Sequence, residues 1–107
     1  MMYYDKEGLP ITMQSWGILF ETKSYRVVKQ DTALDGSWVS TVWMGLNHSH
    51  IPGELLIFET MTFSKEDSSD VLNCRRYATL KEASKGHEEV LTERNEAPRH
   101  HLRKLDV

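Results

Sequence analysis

Cysteine is almost absent: Cys74 stands alone in 107 residues. A single thiol excludes an internal disulfide framework and fits a reducing compartment, so the expected location is cytoplasmic. Its setting in a strand-like segment predicts a buried, inert thiol. Long apolar runs are lacking as well. Ile18-Leu19-Phe20 and Leu55-Leu56-Ile57-Phe58 fall far short of the about 18 residues a membrane-spanning helix needs. Met1-Met2-Tyr3-Tyr4-Asp5-Lys6-Glu7 has neither a basic nor an apolar leader region, so no secretory signal is expected there.

An excess of positive charge is missing too. The net charge is −3, and residues 1–96 hold 10 basic against 15 acidic side chains. That excludes the basic surface of a nucleic-acid binder, and the carboxylates are too sparse for a DNA mimic. Residues 97–107 differ, with Arg99, Arg103 and Lys104 against Asp106, and read as a basic tail after a single domain at 1–96. Motifs of chemistry are also lacking. There is no nucleophile elbow, P-loop, dinucleotide fingerprint or zinc-protease helix. Gly36, Gly45 and Gly53 are isolated and build no phosphate-cradling loop.

What is present is a readable order of elements. Met1–Tyr4 and Leu9–Ile11, around the turn Asp5-Lys6-Glu7-Gly8, predict a short hairpin. Thr12 predicts the N-cap of a helix over 13–22, whose Met13, Trp16, Gly17 and Phe20 share one face. Gly17 on that face would let another element approach closely. Strands follow at 25–30, 38–46, 55–63 and 72–78, rich in β-branched and aromatic residues. Thr79-Leu80-Lys81-Glu82 has the form of a capping box opening a helix. Leu80, Ala83, His87, Val90 and Leu91 line its inner stripe, Gly86 permits close packing, and Ala97-Pro98 marks its end. The fold class is therefore α+β: an antiparallel meander of four main strands, with an N-terminal hairpin and two helices packed on it.

Both faces of the central strands are apolar. Trp38, Val42, Met44 and Leu46 point one way, while Val39, Thr41 and Trp43 point the other. A solvent-facing antiparallel sheet shows one polar face. Two helices account for one face here. The other falls to the hairpin, the tail, a second copy or a partner. A homodimer or a partner interface through this second face is the expectation, with Trp43 as the anchor for a partner.

Five residues are candidates for binding: Trp43, His48, Glu59, Tyr77 and His87. His48 and His50 lie in the loop Asn47-His48-Ser49-His50, where Cys74 or Glu59 would have to complete a metal site; no metal site is expected. His87 sits on an apolar stripe, facing either packed partners or a pocket with Tyr77 or Glu59. Glu59 lies in an apolar strand and needs a cation such as Arg75 or Arg76, which point to opposite faces, or a His87 acid–base pairing. No catalytic residue and no cofactor are assigned.

The segment Trp38-Val39-Ser40-Thr41-Val42-Trp43-Met44-Gly45-Leu46-Asn47-His48 resembles a motif in a family of small bacteriophage and prophage proteins of no assigned activity. Leu56-Ile57-Phe58-Glu59-Thr60-Met61-Thr62-Phe63 resembles that family's next strand. Arg76-Tyr77-Ala78-Thr79, followed by Ala83 and Gly86-His87, resembles its closing strand-to-helix pattern. The family often has Asp where this chain has Asn47. The resemblance spans roughly residues 35 to 95. It implies a phage origin and action in the bacterial cytoplasm, where accessory proteins of this size commonly bind host factors. The leading expectation is a non-enzymatic phage protein that inhibits a host or immune factor, as an anti-CRISPR does, by protein–protein binding. A nucleotide-sequestering protein built on Trp43, Tyr77, His48 and His87 is the alternative. A third is a small metal-dependent or Glu–His hydrolase.

Overall fold

The computed structural model describes residues 2–105, with side chains through Glu96. A two-residue hairpin, β1 (Tyr3–Tyr4) and β2 (Pro10–Ile11), precedes helix α1 (Met13–Glu21) and a one-turn helix α2 (Lys23–Arg26). Strands β3 (Val27–Thr32), β4 (Trp38–Trp43), β5 (Phe58–Phe63) and β6 (Val71–Tyr77) follow, and helix α3 (Leu80–Leu105) closes the chain. The four main strands form one antiparallel sheet in the order β3-β4-β5-β6. The fold is α+β as expected, with three helices rather than two. No helix among the described residues is long and apolar enough to cross a membrane.

Local chemistry explains the boundaries. Thr12 caps α1, its Oγ1 accepting the Ser15 amide at 3.1 Å. Asp5 closes the first hairpin by accepting the Glu7 and Leu9 amides at 3.0 and 2.9 Å, with Gly8 at φ +82°. Strand β4 stops at Trp43, short of the expected Leu46, because Gly45 takes φ +71° and turns the chain. A Cβ at Gly45 would lie 2.6 Å from the rings of both Trp16 and Trp43, so this position also needs glycine for space. Thr79 accepts the Glu82 amide at 3.1 Å at the start of α3. That helix does not end at Ala97-Pro98 but runs to Leu105; nothing in the described residues explains why Pro98 fails to stop it.

Alternation divides the sheet into two faces. On one, Val39, Thr41 and Trp43 of β4 align with Thr62, Thr60 and Phe58 of β5. Helix α3 lies across this face on Ala83, His87 and Val90, all essentially inaccessible. Gly86 permits that approach, since any Cβ there would collide with the Tyr77 ring. The N-terminal unit packs on the same side, at its Trp43 end. Trp43 Nε1 donates to Tyr4 O at 3.1 Å, and Trp16 Nε1 donates to Met44 O at 2.9 Å. Tyr25 meets the Trp43 ring edge-on at 4.9 Å, and Phe20 stacks on Trp16 at 5.0 Å. Gly17 has nothing near it and supports no close approach.

The opposite face has no helix on it among the described residues. It carries Trp38, Ser40 and Val42 beside Phe63, Met61 and Glu59, with Cys74 and Arg76 on β6. Helix α3 and the N-terminal unit both sit on the Trp43 side.

Candidate functional site

Beneath α3, one polar side chain from each strand joins in a single line. Asp31 of β3 lies 2.7 Å from His87 Nε2, and Thr41 of β4 lies 2.7 Å from His87 Nδ1. Thr41 Oγ1 bonds Thr60 Oγ1 of β5, which accepts from the Tyr77 hydroxyl of β6 at 3.0 Å. His87, Thr41 and Thr60 are fully buried, and Tyr77 nearly so. Polar groups in such a place cost free energy unless each is partnered, and here each is.

Satisfying every donor once fixes the hydrogens. Tyr77 donates to Thr60, Thr60 to Thr41, and Thr41 to a bare His87 Nδ1. Nε2–H then donates to the Asp31 carboxylate. A neutral imidazole completes the line with no donor left over. Burial pushes the Tyr77 phenol above its ordinary pKa, against the opposing effect of its bond to Thr60, which keeps the donor end protonated. The line is thus a polar bolt between helix and sheet.

Asp, His and Thr in sequence have the composition of a nucleophile triad. The geometry does not serve one. Thr41 is fully enclosed, and its oxygen is already shared between Thr60 and His87, so no substrate carbonyl reaches it.

At the Asp31 end the line reaches the surface. Lys29 Nζ lies 2.7 Å from Glu88 Oε2 and 3.9 Å from Asp31 Oδ2. Farther along α3, Arg75 forks onto both carboxylate oxygens of Glu93 at 2.7 Å. A cleft of about 620 Å³ lies over this pair, lined by Arg75, Lys85, Glu88, Glu89, Thr92 and Glu93. A second, of about 440 Å³, lies between the first hairpin and α1, bordered by Asp5, Ile11, Ile18 and Tyr25.

The open face has a different character. Trp38 and Phe63 are directly opposed and pack at 5.7 Å between ring centroids. Val42 and Met61 extend this partly exposed apolar surface. Glu59, 6% exposed, lies in the same row as Val42 and Arg76, and Arg76 Nε stands 3.5 Å from its carboxylate. Gln30 Nε2 donates to Ser40 Oγ at 3.0 Å. Cys74 is exposed here rather than buried, because β6 is an edge strand and no helix among the described residues lies over this face. Burial of the sulfur and the Glu59 charge still push its thiol above the ordinary pKa, which disfavours thiolate chemistry.

No family model, curated protein or solved structure matches this chain.

The five candidates therefore separate. His87 and Tyr77 belong to one buried line. Trp43 is fully enclosed in the core, so it presents no surface as an anchor; the tryptophan on the open face is Trp38. Glu59 lies across the sheet from His87, which rules out a direct Glu–His pair, and Arg76 is its cation. Arg75 and Arg76 do point to opposite faces, toward Glu93 and Glu59. His48 lies in the loop after Gly45, its Nε2 buried and lacking a protein partner among the described residues. Asn47 organises that loop, accepting the Ser49 and Leu56 amides and donating to Glu54 O. His48, His50, Cys74 and Glu59 do not converge; among the described residues, the group that does is Asp31, His87 and Glu88.

Sequence reasoning missed Asp31, Thr41 and Thr60. A signal for the threonines exists: they occupy inward positions between Trp43 and Val39 and between Phe58 and Thr62, beneath a helix stripe containing a histidine. Asp31 carries none, because a register shift between Val27 and Lys29 changes which β3 residues face α3.

Proposed function

We propose that this protein acts as a non-enzymatic binding protein whose uncovered sheet face takes a protein partner. The observation that carries this reading is the Trp38–Phe63 pair, continued by Val42 and Met61, on a face with no helix over it among the described residues. Buried aromatic anchors surrounded by apolar contacts supply most of the energy at interfaces. The Glu59–Arg76 pair adds a polar point that fixes the orientation of a partner. Trp38 takes the anchoring role in place of Trp43. The resemblance of residues 35–95 to small phage proteins supports the class of partner, a bacterial host or immune factor of the kind anti-CRISPR proteins inhibit.

The test is phage plating on bacteria that carry defined immune systems, with and without the protein. Wild type should restore plaques against at least one system, and a Trp38→Ala/Met61→Ala variant that remains folded should lose that effect. Full activity of the double variant would exclude this face as the binding surface. Absence of any effect across the panel would reject the anti-defence reading.

A further inference from the structure

Two carboxylates and an imidazole from separate elements meet where the buried polar line reaches the surface. Asp31 comes from β3, and His87 and Glu88 come from α3; one ligand atom from each lies within 4.8 Å of the other two. We infer that Asp31, His87 and Glu88 form a binding site for a divalent metal ion of the zinc class, at the exposed rim of the seam between α3 and the sheet. This inference is independent of the partner-binding reading and uses the opposite side of the sheet.

The donor set decides the class of ion. One imidazole nitrogen with two carboxylates suits zinc, cobalt or manganese, and is too poor in oxygens for calcium. Metal–ligand bonds of about 2.0–2.2 Å bring the donors of one ion to within about 4.2 Å of each other. Asp31 Oδ2 and His87 Nε2 stand at hydrogen-bond distance, 2.7 Å. They must open to the about 3.4 Å that separates neighbouring ligands of a tetrahedral ion, a movement the 34% exposed Asp31 side chain allows. Glu88 is half-exposed, so its carboxylate closes the remaining gap by side-chain rotation. Three protein donors leave one position for water.

The position already holds a cation. The Lys29 ammonium stands 2.7 Å from Glu88 and 3.9 Å from Asp31, and its side chain is half-exposed and free to swing out. A divalent ion replaces one positive charge with two on the same pair of carboxylates.

The buried line supplies what an outer shell must. A metal on Nε2 requires the His87 proton on Nδ1, where Thr41 Oγ1 stands at 2.7 Å to accept it. Thr41 then donates to Thr60 Oγ1, which goes on accepting from the Tyr77 hydroxyl, so the reversal is confined to the Thr41 links. Hydroxyls, which donate and accept, allow both tautomers.

The experiment is calorimetric titration of tag-free, metal-free full-length protein with zinc and cobalt sulfate, alongside thermal unfolding with and without the ion. The other four histidines and the thiol are removed in a His48→Gln/His50→Gln/His100→Gln/His101→Gln/Cys74→Ser background. Both wild type and this background should bind one equivalent and unfold at higher temperature with metal. Glu88→Gln, at an exposed position, should weaken binding by about tenfold or more while leaving the metal-free protein folded. Lys29→Met should tighten binding, by about tenfold. Loss of binding in the background that keeps His87 as its one histidine would overturn the site. So would undiminished binding by Glu88→Gln, or absence of binding in both wild type and Lys29→Met.

Discussion

Adjacent residues on β4 live in opposite environments. Thr41 is sealed under α3 between Thr60 and His87, while Ser40 points to the side with no helix and meets Gln30. The same division separates Trp43, enclosed by Tyr4, Trp16, Phe20 and Tyr25, from Trp38, which leans on Phe63 alone among aromatic neighbours. The covered face holds both the apolar core and a partnered polar line. The other sets partly exposed Trp38, Val42, Met61 and Phe63 among Ser40, Glu59 and Arg76, with no helix over it among the described residues. Among the described residues one side of the sheet is thus a covered interior and the other carries no helix, and under the proposed binding role stability and recognition fall on different sides of the same strands.

The largest expected effect separates the tryptophans. Trp43→Ala removes a fully buried ring and a bond to Tyr4 O, and should cost about 3–5 kcal/mol of unfolding free energy. Trp38→Ala should cost about 1 kcal/mol, because its ring is only partly buried. Urea unfolding followed by circular dichroism measures both. Equal losses would mean that the Trp38 face is as enclosed in solution as the Trp43 face, and would break the comparison.

A finer contrast uses Thr41 and Ser40. Thr41→Val keeps the shape but removes the hydroxyl between His87 and Thr60, leaving buried polar atoms without their partner; the expected cost is about 1–3 kcal/mol. Ser40→Ala breaks one bond to a polar side chain and should cost about 0.5–1 kcal/mol. The same unfolding measurement decides it. A larger loss for Ser40→Ala would show that the polar line does not fasten α3.

Much of this arrangement was legible beforehand. The strands, the Thr12 and Thr79 caps and the two-faced apolar pattern follow from local chemistry, and alternation correctly put Trp38 and Trp43 on opposite sides. Which side is covered was not legible, because the choice is non-local. It depends on Gly45 turning the chain so that Trp16 and the first hairpin close over Trp43. His87 could be read as a polar residue on an inward stripe. Its Asp31 partner could not, since the irregularity in β3 resets the alternation on which such a reading rests. Glu59 was readable as a carboxylate in need of a cation, and Arg76 on the neighbouring strand supplies it.

The smallest effect lies at the rim of the covered side, where charge rather than packing holds the helix. The turn between β3 and β4 is tied to α3 by Arg94, 2.7 Å from Asp35, and by Asn95, which accepts the Leu34 amide at 2.8 Å. Burial alone would raise the Asp35 pKa, but the Ser37 hydroxyl and amide, together with Arg94, outweigh it and hold the carboxyl below its ordinary value. A depressed folded-state pKa contributes stability that is fully present above the unfolded value of about 3.9. That contribution is lost as pH falls through the lower folded value. Arg94→Met should therefore destabilise the protein at neutral pH by about 1 kcal/mol or less. The gap from wild type should narrow as Asp35 becomes protonated, since the neutral carboxyl no longer rewards the guanidinium. Unfolding free energies at pH 7 and at successive steps below pH 4 measure this, and a gap unchanged across that range would show that the arginine acts through packing of its stem and not through its charge.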